Sequence, residues 1–198
     1  MSAPPLSSVA LFCGSSEGLE REWMEGAAAF GRLLAGEGIR LVYGGGALGL
    51  MGACARAVIG SGGKVLGVIP EFLRLPEVAY EAAELVIVSS MHERKATMFE
   101  QADGFVVMPG GVGTLEEAIE ILSWVRLGLH AKPVVFLNTK GYWSPLFELI
   151  DHSVRQGFTP EQFRTAFVEV RRVEEILPAL KAMAAVAGER APMPLTVT

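Results

Sequence analysis

Met108-Pro-Gly-Gly-Val-Gly-Thr-Leu-Glu-Glu117 follows the apolar run Phe105-Val106-Val107 and opens an amphipathic segment, Ala118 to Leu127. The order reads as strand, glycine turn, helix. Glycines let a backbone turn tightly and approach a ligand closely. The free N–H groups of a first helical turn, with the helix dipole behind them, favour an anion. A phosphate site is the natural expectation. Glu117 stands at its edge, where a simple anion loop has no use for a negative charge.

Working outward, short apolar runs alternate with longer helical patterns. Strands are expected at Val9 to Phe12, Ile39 to Tyr43, Val65 to Ile69, Leu85 to Val88, Phe105 to Val107 and Val134 to Leu137. Phe167 to Val170 reads as a last, edge strand. Helices are expected at Glu17 to Ala35, Leu48 to Ile59, Met91 to Gln101, Leu115 to Leu127, Ser144 to Gln156 and Glu174 to Val186. This alternation implies βαβ units, hence an α/β fold: a Rossmann-like doubly wound, mainly parallel sheet with helices on both faces. Ligands in such sheets bind beyond the carboxyl ends of the strands, where the glycine turns fall. No internal repeat or linker divides the chain. Residues 1–187 read as one nucleotide-binding domain and 188–198 as a loose tail.

Composition narrows the function classes. The chain has 198 residues, 51% hydrophobic and 20% charged, with a net charge of -5, which suits one core and disfavours a broad nucleic-acid surface. Cys13 and Cys54, both in apolar contexts, read as buried free thiols of a reducing compartment. No basic region precedes the first apolar run, and no apolar stretch approaches membrane-spanning length. A cytoplasmic protein without a membrane partner is the expectation.

Three further motifs bear on chemistry. Gly44-x-Gly46-x-x-Gly49 matches the dinucleotide fingerprint as a string, with Glu71 where a ribose-binding acid would fall. It follows the second strand, however, whereas that fingerprint belongs to the first βα turn. A smaller nucleotide fits better, and a plain packing turn is the alternative. Cys13-Gly14-Ser15-Ser16 occupies the first turn, where Ser15 either lines a ligand pocket or helps cap the helix expected from Glu17. Ser90-Met91-His92-Glu93 forms a capping box. Arg94 and Lys95 follow it, two cations against the helix dipole that a bound anion would offset. His92, His130 and His152 have no metal-site spacing, so no metal and no cofactor are expected.

Thr114-Leu115-Glu116-Glu117 also reads as a capping box, which would give Glu117 a structural task. Against that, the turn is richer in glycine than a cap requires. Glu117 shares a face with Ile121 and Trp124, while Leu115, Ala118, Ile119, Leu122 and Val125 form the core stripe. A helix apolar on two faces is buried on two sides. A homodimer contact through the helix carrying Glu117, Ile121 and Trp124 is therefore expected. Glu117 would then lie in a desolvated crevice, fit for electrostatic or base chemistry.

The pair Met91-His-Glu-Arg-Lys95 and Pro109-Gly-Gly-Val-Gly-Thr-Leu-Glu-Glu117 resembles the LOG family, the cytokinin riboside 5′-monophosphate phosphoribohydrolases, long mislabelled as lysine decarboxylases. The resemblance extends through Tyr43-Gly-Gly-Gly46, Gly49-Leu-Met-Gly52, Leu127 to Pro133 and Leu137 to Tyr142, roughly residues 8 to 160. It implies a homodimer that hydrolyses the N-glycosidic bond of AMP-like nucleotides, releasing an adenine-type base and ribose 5-phosphate. Carried over by residue, it implies catalytic roles for Arg94 and Glu117. It implies substrate binding by Lys95, by the loop Gly110, Gly111, Val112, Gly113 and Thr114, by Gly45 and Ser15, and by Glu77. The base would be adenine or an N6-prenylated adenine.

Rival readings are a pyridoxal-phosphate lysine decarboxylase, an NAD-binding enzyme, and a non-catalytic nucleotide-binding or molybdenum-cofactor carrier protein with the same sheet. Only five lysines exist, and none stands in a context that signals a Schiff base.

Overall fold

The computed structural model describes residues 6–74, 80 and 82–187. Its strands are β1 (Ser8–Phe12), β2 (Arg40–Tyr43), β3 (Val65–Pro70), β4 (Glu84–Val88), β5 (Gly104–Val107), β6 (Val134–Leu137) and β7 (Val168–Val170). The helices are α1 (Arg21–Gly36), α2 (Gly49–Gly60), α3 (Met91–Glu100), α4 (Val112–Arg126), α5 (Ser144–Arg155) and α6 (Ile176–Ala187). The strands form one sheet in the order β4-β3-β2-β1-β5-β6-β7, and every pairing is parallel. The expected doubly wound sheet is thus wholly parallel.

Burial follows the period of two that a strand imposes. Val9, Leu11 and Cys13 enter one core layer with Phe30 and Leu34 of α1, Cys54 and Val58 of α2, and Leu180 of α6. Ala10 and Phe12 enter the other, with Met98 of α3 and Ala118 and Leu122 of α4. Because β1 lies between β2 and β5, chain progression reverses there, and the carboxyl ends of these strands bracket a crevice.

Several elements differ from expectation. Helix α1 starts at Arg21 with Glu20 at its N-cap and no side-chain capping bond, so Ser15 and Ser16 cap nothing and remain in the turn. Strand β4 is an edge, and its Ile87 is 44% exposed, where a buried strand was expected. Helix α4 starts at Val112, earlier than its apolar pattern suggested, with Gly111 at the N-cap. The two-faced reading of α4 also changes. Ile121 is buried within its own chain, and Trp124 packs edge-on against Phe99 of α3 with ring centroids 5.1 Å apart. Ile119, expected in the core, is 41% exposed. The Trp124 face is therefore packed in part against α3 of the same chain, and the exposed row on α4 is Ile119, Ser123 and Leu127.

Helices α1 and α2 meet at Gly31. A Cβ there would collide with the Cys54 carbonyl and lie 2.9 Å from the Ala57 Cβ. Gly31→Ala gains about 1 kcal/mol of helix propensity but overpacks the contact by about 1–3 kcal/mol. A net loss of stability in urea unfolding is expected; a gain would show that α1 and α2 move apart at no cost.

Candidate active site

Beyond the carboxyl ends of the central strands lies a cleft of about 560 Å³. Its polar side is the turn between β1 and α1, through Cys13, Gly14, Ser15 and Ser16, with the turn between β5 and α4, through Gly110, Gly111, Val112, Gly113 and Thr114. Leu50, Met51, Ile69, Leu73 and Met91 form an apolar side. Arg94 and Glu117 line the cleft as well, each only 8% exposed.

The glycine turn leads into α4 as the sequence suggested, but with a different register. Gly111 is extended (φ -87°, ψ -155°), so the first intrahelical bond runs from the Leu115 N–H to the Gly111 carbonyl, 3.0 Å. The N–H groups of Val112, Gly113 and Thr114 precede that bond and have no acceptor among the described residues. Free N–H groups at a helix start, with the dipole behind them, suit an anion. Thr114 is a buried residue inside the first turn and not an N-cap. The expected capping box of Thr114 and Glu117 does not exist. Glu117 is freed from that task and turns into the cleft.

Glu117 meets Arg94 there, with Oε1 3.5 Å from Nη1. Arg94 is fixed from behind: its Nε donates to the Val68 carbonyl of β3 at 3.1 Å, and its Nη2 to the Gly44 carbonyl after β2 at 3.4 Å. A Cβ on Gly44 would strike that Nη2 and lie 3.1 Å from Cζ. Gly44 therefore makes room for a guanidinium and not for a dinucleotide phosphate. Gly49, at φ +57°, has the same logic toward the β1 turn, since a Cβ would sit 2.5 Å from the Ser16 nitrogen. Gly44 and Gly49 of the fingerprint thus serve packing, of the Arg94 guanidinium and of the β1 turn respectively. Glu71, the expected ribose acid, is exposed and outside the cleft lining.

Burial pushes the Glu117 pKa up to about 7. The Arg94 guanidinium pulls against that shift, Glu116 adds to it, Lys95 opposes it, and Glu120 adds to it. The ion pair is too long to offset desolvation fully. Cys13 lies beside Glu117 in the cleft floor, and burial raises its thiol well above the ordinary range. It is a poor nucleophile for that reason. Both cysteines are free and buried, as expected.

Other expected positions fall differently. Lys95 does not line the cleft; its Nζ pairs with Glu116 and, at 3.0 Å, with Glu120, tying α3 to α4. Gly45 sits behind the cleft against Ile69 and Leu85, and its carbonyl accepts the Tyr80 N–H. Glu77 lies outside the described residues. Ser90 caps α3 by accepting the Glu93 N–H at 3.1 Å, but the Glu93 carboxylate reaches back to the N–H and hydroxyl of Ser89, not of Ser90. Among the described residues no group of three His, Cys, Asp or Glu side chains is placed to hold a metal.

Sequence reasoning missed Trp23 and Tyr142, which also line the cleft and meet edge-on at 5.3 Å. Tyr142 lay within the quoted motif, yet nothing local linked it to the glycine turn.

A family model described as possible lysine decarboxylase matches residues 51–180. A probable cytokinin riboside 5′-monophosphate phosphoribohydrolase of Oryza sativa subsp. japonica is 47% identical, with 86% of this chain and 78% of the relative covered. The cytokinin riboside 5′-monophosphate phosphoribohydrolase of Rhodococcoides fascians is 43% identical, with 90% and 91% covered. Among solved structures, the molybdenum cofactor binding protein of Rippkaea orientalis superposes with a TM-score of 0.65 at 19% identity, covering 90% of this chain and 98% of that one. The molybdenum cofactor carrier protein of Chlamydomonas reinhardtii gives 0.66 at 19% identity, covering 91% and 99%. These two share the fold alone.

The Glu117 carboxyl should titrate near pH 7 by carbon-13 NMR, against an ordinary value of 4.5. Arg94→Gln should move the midpoint higher. The sign for stability follows from the raised native value. The protonated acid favours the fold fully below about 4.5, and this contribution is lost as pH rises through about 7. Glu117→Gln should flatten that window. A wild-type midpoint near 4.5 would remove the buried pair from the account.

Proposed function

Because the chain belongs to the family of cytokinin riboside 5′-monophosphate phosphoribohydrolases, we propose that it hydrolyses the N-glycosidic bond of AMP-like 5′-monophosphates, releasing an adenine-type base and ribose 5-phosphate. The observation that carries the mechanism is the buried pair of Arg94 and Glu117 beside a helix end whose N–H groups lack acceptors.

The phosphate takes the N–H groups at the start of α4 and the Thr114 hydroxyl. The ribose then lies over Glu117, and the base extends among Leu50, Met51, Ile69, Leu73 and Met91. As the C1′–N9 bond breaks, its electrons leave with the purine and positive charge builds on the sugar. The Glu117 carboxylate steadies that charge more than it does the neutral ground state. It also takes the proton of the water that attacks C1′, and that proton, passed on through solvent, replaces the one the departing purine takes up to become the neutral base. A pKa near 7 suits a base at neutral pH. Arg94, held by the Val68 and Gly44 carbonyls, keeps the carboxylate in place and biases it toward the ionised form.

Lys95 and Gly45 support the site from outside the cleft: Lys95 by joining α3 to α4, Gly45 by packing behind β3. The five described lysines give no support to a decarboxylase reading, since none lines the cleft. The carrier reading leaves a buried acid at an anion site unexplained. Assembly as a homodimer is supported by the exposed apolar row Ile119 and Leu127, with Leu129 nearby at 65% exposure, more than by the half-buried Trp124. Free buried thiols support a cytoplasmic setting.

Chromatography of AMP, and of its N6-isopentenyl analogue, after incubation with the protein should show free base and ribose 5-phosphate. Glu117→Gln should lower kcat by about a hundredfold or more. The wild-type rate should rise with pH through about 7 and level off above it, because the ionised acid is the working form. Glu117→Gln should lose that ascending limb. Bound nucleotide with no base released would favour the carrier.

A further inference from the structure

The turn that joins β6 to α5 is built with unusual care for a surface connection. Asn138, 1% exposed, accepts the Trp143 N–H at 2.6 Å and donates to Ser144 Oγ at 3.1 Å and Glu169 Oε1 at 2.8 Å. Lys140 and Gly141 both have left-handed backbone, at φ 56° and 75°. For a lysine this conformation is costly and is held only where its surroundings demand it. The Lys140 ammonium pairs with Glu20 and Glu22 at the start of α1. The result aims one side chain at the glycine turn: the Tyr142 hydroxyl donates to the Gly110 carbonyl at 2.7 Å.

That bond falls on a decisive atom. In a helix wound one residue further back, the Gly110 carbonyl would accept the Thr114 N–H, by the i to i+4 rule. Tyr142 occupies the carbonyl instead. The neighbouring Pro109 carbonyl is likewise taken, by the Gly14 N–H at 3.0 Å. Each planar trans peptide sets its N–H opposite its carbonyl. Two consecutive peptides of the turn are thereby oriented from outside, and the Thr114 N–H is left without an intrahelical acceptor.

We propose that Tyr142 is a positioning residue for 5′-phosphate recognition: by holding the Gly110 carbonyl out of the α4 ladder, it keeps the anion-binding N–H groups open. The inference rests on the nucleotide-hydrolase reading above. It separates two halves of one substrate, since Tyr142 acts on the phosphate end, while the apolar side of the cleft receives the base.

The test is Tyr142→Phe, which keeps the ring and its edge contact with Trp23. Inhibition of AMP hydrolysis is measured with ribose 5-phosphate and with adenosine, which lacks the phosphate. Ribose 5-phosphate should inhibit about tenfold more weakly, from one lost hydrogen bond and one stranded carbonyl. Adenosine inhibition should change by less than about twofold, and KM for AMP should rise by a larger factor than kcat falls. An unchanged ribose 5-phosphate constant, or an equal loss for both inhibitors, overturns the inference, the latter by reducing Tyr142 to general support of the fold. Wild-type protein that cleaves AMP yet ignores ribose 5-phosphate overturns it too, leaving the hydrolase reading intact. Wild-type protein that neither binds nor cleaves AMP overturns both.

Discussion

The contact between the Arg94 guanidinium and the Glu117 carboxylate is the constraint around which this molecule is arranged. Removing two opposite charges from water is expensive, and a single ion pair at 3.5 Å does not restore the loss. The fold supplies the remainder through backbone carbonyls at the ends of two different strands. Those carbonyls are available only because Gly44 has no side chain to fill the space between them. Glu117, by contrast, receives no such support, and burial pushes its carboxyl up toward neutrality. The asymmetry gives a fixed cation beside a carboxylate that titrates near neutrality, which is a useful combination where positive charge must appear briefly on a sugar.

Most of the architecture was legible in the sequence because its strands are short apolar runs separated by glycine turns and amphipathic helices. Period and punctuation sufficed to expect a doubly wound sheet. The pair Arg94 and Glu117 and the loop from Gly110 to Thr114 were also legible, through motif and resemblance, and the structure brings them to one cleft. Failures came where a local pattern was read without its tertiary competitors. Thr114 to Glu117 matches a capping box as a string, but the extended Gly111 starts the helix earlier, and the Gly110 carbonyl is claimed by a tyrosine some thirty residues on. Lys95 looked like an anion ligand beside Arg94. Consecutive helical residues point in different directions, however, and its partners are acids on α4.

The face of α4 teaches the same lesson about packing. An apolar residue on a second helix face suggested a second protein chain, yet part of that face already packs on Phe99 of α3. Spacing along one helix tells which side chains share a face. It cannot tell which neighbouring element claims that face. Trp23 and Tyr142 enter the cleft from well-separated stretches of the sequence and meet only once the sheet has brought them together.

The bond from the Gly14 N–H to the Pro109 carbonyl joins the first turn of one half of the sheet to the glycine turn of the other. A Cβ on Gly110 would sit 2.7 Å from that same Gly14 nitrogen, so the two backbones touch with no side chain between them. A side chain at Gly110 would force this seam apart. Evolutionary or laboratory diversification of the scaffold is thus channelled away from the seam and toward the free margins of the sheet, where added segments can reshape what the cleft admits without disturbing its floor.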